Sequence, residues 1–148
     1  MRHIRFKLAA LGAASILVAC GGGGDGPALT GLAAGGAAIG NAALTARCAG
    51  GAAITGKTNA DGSFSVDLSG GQSLPCMVQV AYGSGVLYGY ADALGRINVT
   101  PLTDLIISRA LGSDAGATFA GFDSSRAATL RSALDAAKAY VKDRKSVV

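Results

Sequence analysis

The stretch Thr58-Asn59-Ala60-Asp61-Gly62-Ser63-Phe64-Ser65-Val66-Asp67-Leu68 decides the fold class of this 148-residue chain. Its second half alternates apolar and polar side chains, the period-2 pattern of a strand with one buried face. The residues just before it, at 59–62, are of types that favour tight turns. The stretch therefore predicts a turn that leads directly into a β-strand.

Similar short segments lie on both sides of this stretch. Alternating or apolar runs occupy residues 44–48, 64–68, 76–80, 86–88 and 97–99, and turn residues occupy 59–62, 69–71, 83–85 and the vicinity of Gly95. Several short strands at a spacing of 8–12 residues are typical of sandwiches and barrels. We therefore predict a mainly β chain, with a small Greek-key-type β-sandwich over residues 28–100.

The turn and strand also carry a recognisable pattern. Thr58, Asp61, Gly62 and Phe64 give T-x-x-D-G-x-F, and residues 36–44 upstream loosely give G-x-A-I-x-x-A-x-L. Together they resemble the hairpin of carboxypeptidase regulatory-like, transthyretin-type domains. The resemblance covers roughly residues 28–100. It implies a seven-stranded sandwich without catalytic residues of its own.

After residue 100 the apolar period becomes that of a helix. Thr100 suits the N-cap, Pro101 the first helical position and Gly112 the stop. The apolar face of this helix is predicted to comprise Leu102, Leu105, Ile106 and Ala110.

A second helix is predicted to begin near Asp123 or Ser124. Its apolar stripe comprises Ala127, Leu130, Leu134, Ala137 and Val141. Such a stripe indicates core packing, with a partner helix as the alternative. Residues 101–142 are therefore predicted to form a C-terminal α-helical segment.

Residues 143–148 resemble the translation of a common sequencing adapter, which predicts a non-native tail on a truncated gene; an ordinary charged helix end is the alternative.

The N-terminus has the layout of an export signal. A cationic segment over residues 1–7 precedes a twelve-residue apolar run at 8–19, which is too short to span a bilayer as a helix. The run ends in Leu17-Val18-Ala19-Cys20, which resembles a bacterial lipobox. The resemblance implies removal of a signal peptide at 1–19 and acylation of Cys20, palmitate included. An ordinary signal peptide or a short buried helix is the alternative.

Residues 20–27 then form a Gly-rich tether behind the predicted lipidated Cys20. Gly21 stands where Asp would favour retention in the inner membrane, according to the sorting rule of that family. The N-terminus therefore predicts a cell-envelope protein, lipid-anchored to the outer membrane and facing the periplasm.

Cys48 and Cys76 remain once Cys20 is assigned to lipid. In an oxidising compartment two remaining thiols usually pair, and Cys76 shares the inward parity of its strand with Val78 and Val80. We predict a Cys48–Cys76 disulfide that contributes about 3–4 kcal/mol. A redox-active pair is disfavoured, because the chain has no Cys-x-x-Cys motif.

The inventory of charged and reactive residues argues against several classes of function. The net charge of +4 comes mostly from the first seven residues, since ten Lys and Arg face nine Asp from residue 20 onward. Without a basic stripe we predict no nucleic-acid partner. The chain has no Glu and its only His is His3, which excludes a Ser-His-Asp triad or an HExxH zinc site from its body.

Two motif matches and four carboxylates are the remaining candidates for a ligand or catalytic site. Residues 51–58 match the phosphate-binding expression G-x-x-x-x-G-K-[ST], but a turn and a strand follow where a helix is required, so we predict no nucleotide partner. Asn59-x-Asp61-Gly62 is similar to a calcium loop that lacks its final Glu. Nothing brings together the carboxylates of Asp61, Asp67, Asp92 and Asp104. We predict no catalytic residue, metal or cofactor.

The sequence thus predicts a non-enzymatic, lipid-anchored envelope protein with a structural or binding role. The predicted partners are the membrane, through the N-terminal lipid, and an envelope protein or glycan. A carbohydrate- or peptide-binding module and an accessory domain of a larger envelope enzyme are the alternatives. Tyr82, Tyr88 and Tyr90 lie close in sequence, and Tyr88 and Tyr90 share a strand face. An exposed pair would stack on a sugar, whereas a buried pair would pack in a core.

Overall fold

The computed structural model describes residues 26–145, so the predicted signal peptide and Cys20 lie outside the described residues. Within this range the chain forms seven strands followed by three helices. In chain order they are β1 (Ala28–Ala33), β2 (Ala43–Gly50), β3 (Ile54–Lys57), β4 (Ser63–Asp67), β5 (Ser73–Tyr82), β6 (Gly85–Ala91), β7 (Gly95–Val99), α1 (Pro101–Leu111), α2 (Ala115–Ala120) and α3 (Ser124–Lys145).

The strands form two sheets, which confirms the predicted sandwich with a helical segment after it. The three-stranded sheet has the order β4-β1-β7, with β1 antiparallel to β4 and parallel to β7. The four-stranded sheet has the order β3-β2-β5-β6 and is antiparallel throughout. The five predicted strands lie in β2, β4, β5, β6 and β7. The strands β1 and β3 were not predicted individually. The first lies in a Gly- and Ala-rich segment, and the second is a short edge strand.

Side chains that alternate along the strands fill the space between the two sheets. The first core includes Leu29 of β1, Phe64 of β4 and Val78 of β5. Gly31 is required at the centre of β1, because a Cβ there would lie 2.2 Å from the Phe64 ring. Phe64 therefore lies directly over the backbone of its neighbouring strand.

The helices cover the outer face of the four-stranded sheet and create a second core. Met77 of β5 and Tyr88 of β6 face Ile107 of α1 and Leu130 of α3 in this core. The predicted stripe of α3 is confirmed, since Ala127, Leu130, Leu134, Ala137 and Val141 are all buried. The molecule thus has three layers: the three-stranded sheet, the four-stranded sheet and the helices.

Helix α1 has the predicted caps but only half of the predicted face, since Ile106 and Ala110 pack against the second core as predicted. Thr100 accepts a hydrogen bond from the Thr103 backbone N–H at its start, and Gly112 closes its end with a φ of 62°. Leu102 and Leu105, predicted to face the core, are 46% and 53% exposed, whereas Ile107 is buried. The helix is rotated because polar side chains of its first turns bind the edge of β6, as described below. The short helix α2 was not predicted.

The two ends of the sandwich are defined by the course of β1. At the β1-start end, Ala28 pairs with Asp67 and Leu29 pairs with Gly95. At the β1-finish end, the Ala33 N–H donates to the Gly62 carbonyl, and the Tyr82 hydroxyl donates to the Gly35 carbonyl. About 20 Å separates the two ends, because a strand rises about 3.3 Å per residue.

Candidate functional site

The two cysteines of the body form a disulfide between neighbouring strands. Cys48 of β2 and Cys76 of β5 are cross-strand partners, with Cα atoms 3.9 Å apart. Both side chains are buried in the first core. The bridge therefore lies within the four-stranded sheet, at the interface with the other sheet.

The T-x-x-D-G-x-F pattern has a structural role. The buried Thr58 hydroxyl accepts from the Ala42 N–H at 2.9 Å and donates to the Ile39 carbonyl at 2.6 Å, so it fixes the β1–β2 connection. Asp61 accepts from the backbone and hydroxyl of Ser63, and these bonds, that from the hydroxyl above all, lower the pKa of Asp61. Gly62 has a φ of 78° that disfavours other residues. These side chains build a turn rather than a ligand site.

The stretch that matches the phosphate-binding expression takes the course predicted from its flanks. It contains the strand Ile54–Lys57 and continues through a turn into the strand Ser63–Asp67. A phosphate-binding loop places its phosphates at the N-terminus of the helix that follows. No helix begins there, so the geometry for such a site is missing from this described segment.

The candidate carboxylates serve separate local structures. Hydrogen bonds from Ser69, the backbone one first, lower the pKa of Asp67. Asp92 lies 3.9 Å from the Arg131 guanidinium. Burial raises the pKa of Asp104, and a hydrogen bond from the Tyr88 backbone N–H offsets part of this rise.

The tyrosines do not form an exposed platform. Tyr88 is buried, lies 5.5 Å from the Phe119 ring between centroids, and accepts a hydrogen bond from Gln79 through its hydroxyl. Tyr90 faces the same side and packs against the second core. The shared face of Tyr88 and Tyr90 is thus confirmed, and that face packs as core.

A cleft of about 360 Å³ runs along the open side of the sandwich, and we take it as the candidate site. One wall is the continuous segment from Tyr90 at the end of β6 to Asn98 in β7. The other wall is formed by α1 and α3, which contribute Ile106, Ile107 and Leu134. This volume is at the lower end of the range for small ligand sites. Its mouth includes the β6–β7 turn at the β1-start end.

The backbone of β6 faces this open side at alternate residues. The Tyr88 N–H donates to Asp104 Oδ1 at 3.1 Å, and the Tyr88 carbonyl accepts from the Thr103 hydroxyl at 3.1 Å. The Tyr88 backbone groups therefore point away from β5. Because antiparallel pairs alternate, those of Tyr90 do so as well. Helix α1 thus covers the β6 edge at Tyr88 but leaves Tyr90 at the cleft.

One side of the β7 backbone is not paired with another strand of its sheet. Even-numbered residues of β1 bond toward β7, as shown by the Ala34 N–H that donates to the Val99 carbonyl at 3.0 Å. In this parallel register Gly95, Ile97 and Val99 are the β7 residues that bond with β1. The N–H and C=O groups of Arg96 and Asn98 consequently point away from β1, and the Asn98 carbonyl oxygen packs against β6, 3.0 Å from where a Cβ of Gly89 would lie.

The charged residues that line the cleft are Asp92, Arg96 and Lys138. Arg96 and Lys138 line it, and within the described range no acidic group lies within ion-pair distance of Arg96. Lys138 lies 3.6 Å from the exposed Asp135. The Tyr90 hydroxyl oxygen is shielded from solvent. Burial is the main influence on the Tyr90 phenol and raises its pKa. Arg131 lowers this pKa in part and Asp92 raises it, and because the net shift is upward the phenol is neutral at pH 7.

The sequence did not point to this cleft, since it depends on backbone groups that every residue carries. Among residues 26–145, no group of three or more His, Cys, Asp or Glu is placed to bind a metal ion. No helix in that range has the length and apolar character needed to cross a membrane. Comparison of the chain with protein-family models, with curated proteins and with solved structures finds no match.

Proposed function

We propose that this chain is a lipid-anchored protein of the cell envelope with a non-enzymatic role, held at the outer membrane by acylated Cys20. The observation that carries the proposal is the Leu17–Cys20 box, which follows a cationic and apolar leader and precedes a Gly-rich tether. The Cys48–Cys76 disulfide supports it, because such bonds persist in oxidising compartments. The resemblance to carboxypeptidase regulatory-like domains remains part of the proposal.

The tether sets the orientation expected at the membrane. Seven residues lie between Cys20 and Ala28, the first residue of β1, so the two are eight positions apart. At full extension a chain of this length reaches at most about 28 Å. The β1-start end, and with it the mouth of the cleft, would face the lipid surface at this distance. Two acyl chains suffice for stable anchoring, since one gives only marginal binding.

The proposal of a non-enzymatic role draws on the described carboxylates. Asp61 and Asp67 cap turns at opposite ends of β4, and Asp104 accepts from the backbone of β6. Each of these side chains therefore has a structural function that accounts for its position. A general acid or base would instead face a reactant within hydrogen-bond reach.

Metabolic labelling with a clickable palmitate tests the anchor. The wild-type chain should be labelled and should sediment with membranes, and Cys20→Ser should lose both properties. Cys48→Ser serves as the matched control, since it removes a cysteine outside the box and should leave the label in place. Equal labelling of the wild type and Cys20→Ser would refute the lipid anchor.

Energy transfer tests the orientation, because the natural chain has no Trp. Leu94→Trp places a single donor at the β1-start end, and Val86→Trp places one at the β1-finish end; the native side chains are 53% and 40% exposed. In vesicles that contain dansyl-labelled lipid, transfer should be stronger from position 94. Equal transfer from the two positions would contradict the orientation while leaving the anchor itself intact.

A further inference from the structure

The outer face of the three-stranded sheet is exposed, because the helices pack on the four-stranded sheet. Along β1 and β4 the core residues Leu29 and Phe64 alternate with Thr30 and Ser65, which are exposed. Thr30 pairs with Ser65 on one side and with Arg96 of β7 on the other. One row of exposed polar side chains, formed by Ser65, Thr30 and Arg96, therefore crosses this face.

A depression of about 340 Å³ lies along this row. Its volume is at the lower end of the range for small-ligand sites. The polar lining consists of hydroxyl, amide and guanidinium groups, contributed by Thr30, Ser63, Ser65, Asn59 and Arg96. Phe64 also lines the depression, but its side chain is buried in the first core. The depression therefore offers polar side chains to a ligand and no exposed apolar one.

The hydrogen-bond capacity of this lining is used on one side and unused on the other. The Asn59 amide donates to the Ser63 hydroxyl oxygen at 2.9 Å. Within residues 26–145, the Thr30 and Ser65 hydroxyls and the Arg96 guanidinium have no hydrogen-bond or ion-pair partner. These three side chains can therefore bind a ligand without breaking a side-chain bond of the fold.

The charges on this face lie at opposite edges of the sheet. Arg96 lies on β7, whereas Asp67 lies on β4 and Asp61 in the turn before it. Hydrogen bonds from neighbouring serines lower the pKa of both carboxyl groups, so both are ionised at pH 7. Asp92 lines the neighbouring cleft with Arg96 and lies 3.9 Å from the Arg131 guanidinium. A ligand that complements these charges directs an anionic group to Arg96 and hydroxyl groups, which can donate to oxygen, toward β4.

We propose that this depression binds an acidic saccharide, with its carboxylate on the Arg96 guanidinium and its hydroxyls on Thr30 and Ser65. A guanidinium donates two parallel hydrogen bonds to a carboxylate, which fixes the orientation of the bound group. Serine and threonine hydroxyls both donate and accept, as sugar hydroxyls do. An apolar ligand is disfavoured, because the only apolar side chain of the lining is that of buried Phe64. An extended peptide is disfavoured as well, because this face presents side chains, whereas strand addition needs a free backbone edge.

This inference does not rest on the proposed lipid anchor, because the site lies within residues 30–96. It adds a ligand class to the proposed envelope role. The experiment accordingly uses the full chain carrying Cys20→Ser, which cannot be acylated at that position. A failure to bind saccharide would leave the anchor standing, and loss of the anchor would leave saccharide binding unchanged.

An oligosaccharide array that pairs each oligouronate with a neutral oligosaccharide of the same length tests the proposal. The oligouronates should be retained, and their neutral counterparts should bind at least about tenfold more weakly. Arg96→Gln keeps hydrogen-bond donors at this position and removes the charge, so it should lower the affinity for oligouronates about tenfold. Lys57→Gln is the matched control, since it removes an exposed cation from the edge strand β3 of the other sheet and should leave the affinity unchanged.

Nuclear magnetic resonance locates the site without a variant. On titration with an oligouronate, the backbone amide signals of Thr30, Ser65 and Arg96 should shift and saturate, while those of β3 stay in place. Thr30→Val, which keeps the branched shape and removes the hydroxyl, should weaken binding, and Thr55→Val on exposed β3 should not. The proposal is overturned if no oligouronate is retained, if Arg96→Gln binds as tightly as the wild type, if Lys57→Gln weakens binding as much as Arg96→Gln, or if the shifted amides lie elsewhere.

Discussion

Removal of the Cys48–Cys76 bridge should destabilise the sandwich by several kcal/mol. The two cysteines are 28 positions apart, and both side chains are buried where the sheets meet. In the loop-entropy model, a bridge that closes a loop of this length constrains the unfolded chain by about 3.5 kcal/mol at 25 °C. Reduction therefore acts chiefly on the unfolded state, while β2 and β5 keep their pairing in the folded one.

Thermal unfolding followed by circular dichroism, with and without reductant, measures this effect. For a domain of this size, 1 kcal/mol corresponds to about 3–6 °C, so we expect the Tm to fall by more than 10 °C. Cys48→Ala and Cys76→Ala should each reproduce most of the loss. The double variant should be little worse than either single variant, because the bridge is lost only once.

Control experiments separate the bridge from the packing of the cysteine side chains. The double alanine variant should show the same Tm with and without reductant, which excludes an effect of the reductant itself. Thiol titration of the denatured, unreduced protein should find neither Cys48 nor Cys76 reactive. Two reactive thiols at these positions, or a reductant effect below about 1 kcal/mol, would refute the reasoning.

Three other perturbations test the folded structure, each by urea unfolding. Thr58→Val should cost about 2–3 kcal/mol by leaving a buried N–H and C=O unpaired, whereas Thr55→Val on exposed β3 should change little; equal effects would contradict this role. Gly31→Ala should cost about 3 kcal/mol, because its Cβ would lie 2.5 Å from the Ile97 carbonyl oxygen, while Gly56→Ala meets nothing within 4 Å. Burial raises the pKa of Asp104, so the folded state binds its proton more tightly than the unfolded state does. The contribution of Asp104 to stability therefore falls as the pH rises above 3.8. The stability of the wild type relative to Asp104→Asn should therefore decline as the pH rises above 3.8, and a rising difference would show the wrong sign.

Local signals predicted most of the elements because their physical causes are local. The alternation of residues 64–68 indicates a half-buried strand in any fold that covers one face. Thr100, Pro101 and Gly112 specify the bounds of α1 through backbone geometry that each residue favours by itself. The α3 stripe likewise follows from helical periodicity alone. The sequence by itself thus determined the class of most elements, the caps of the first helix and the two cysteines available to pair.

Only the tertiary structure decided which of these faces meet, because such contacts join residues far apart in the chain. Leu102 and Leu105 lie at helical spacing, yet they are exposed, since Thr103 and Asp104 turn α1 toward the β6 backbone. The cleft also depends on contacts between residues that are far apart in the chain. One side of the β7 backbone faces away from β1 because β7 is the last strand of its sheet, and a backbone group has no sequence signature. Strand order, which depends on long-range pairing, therefore created the candidate site.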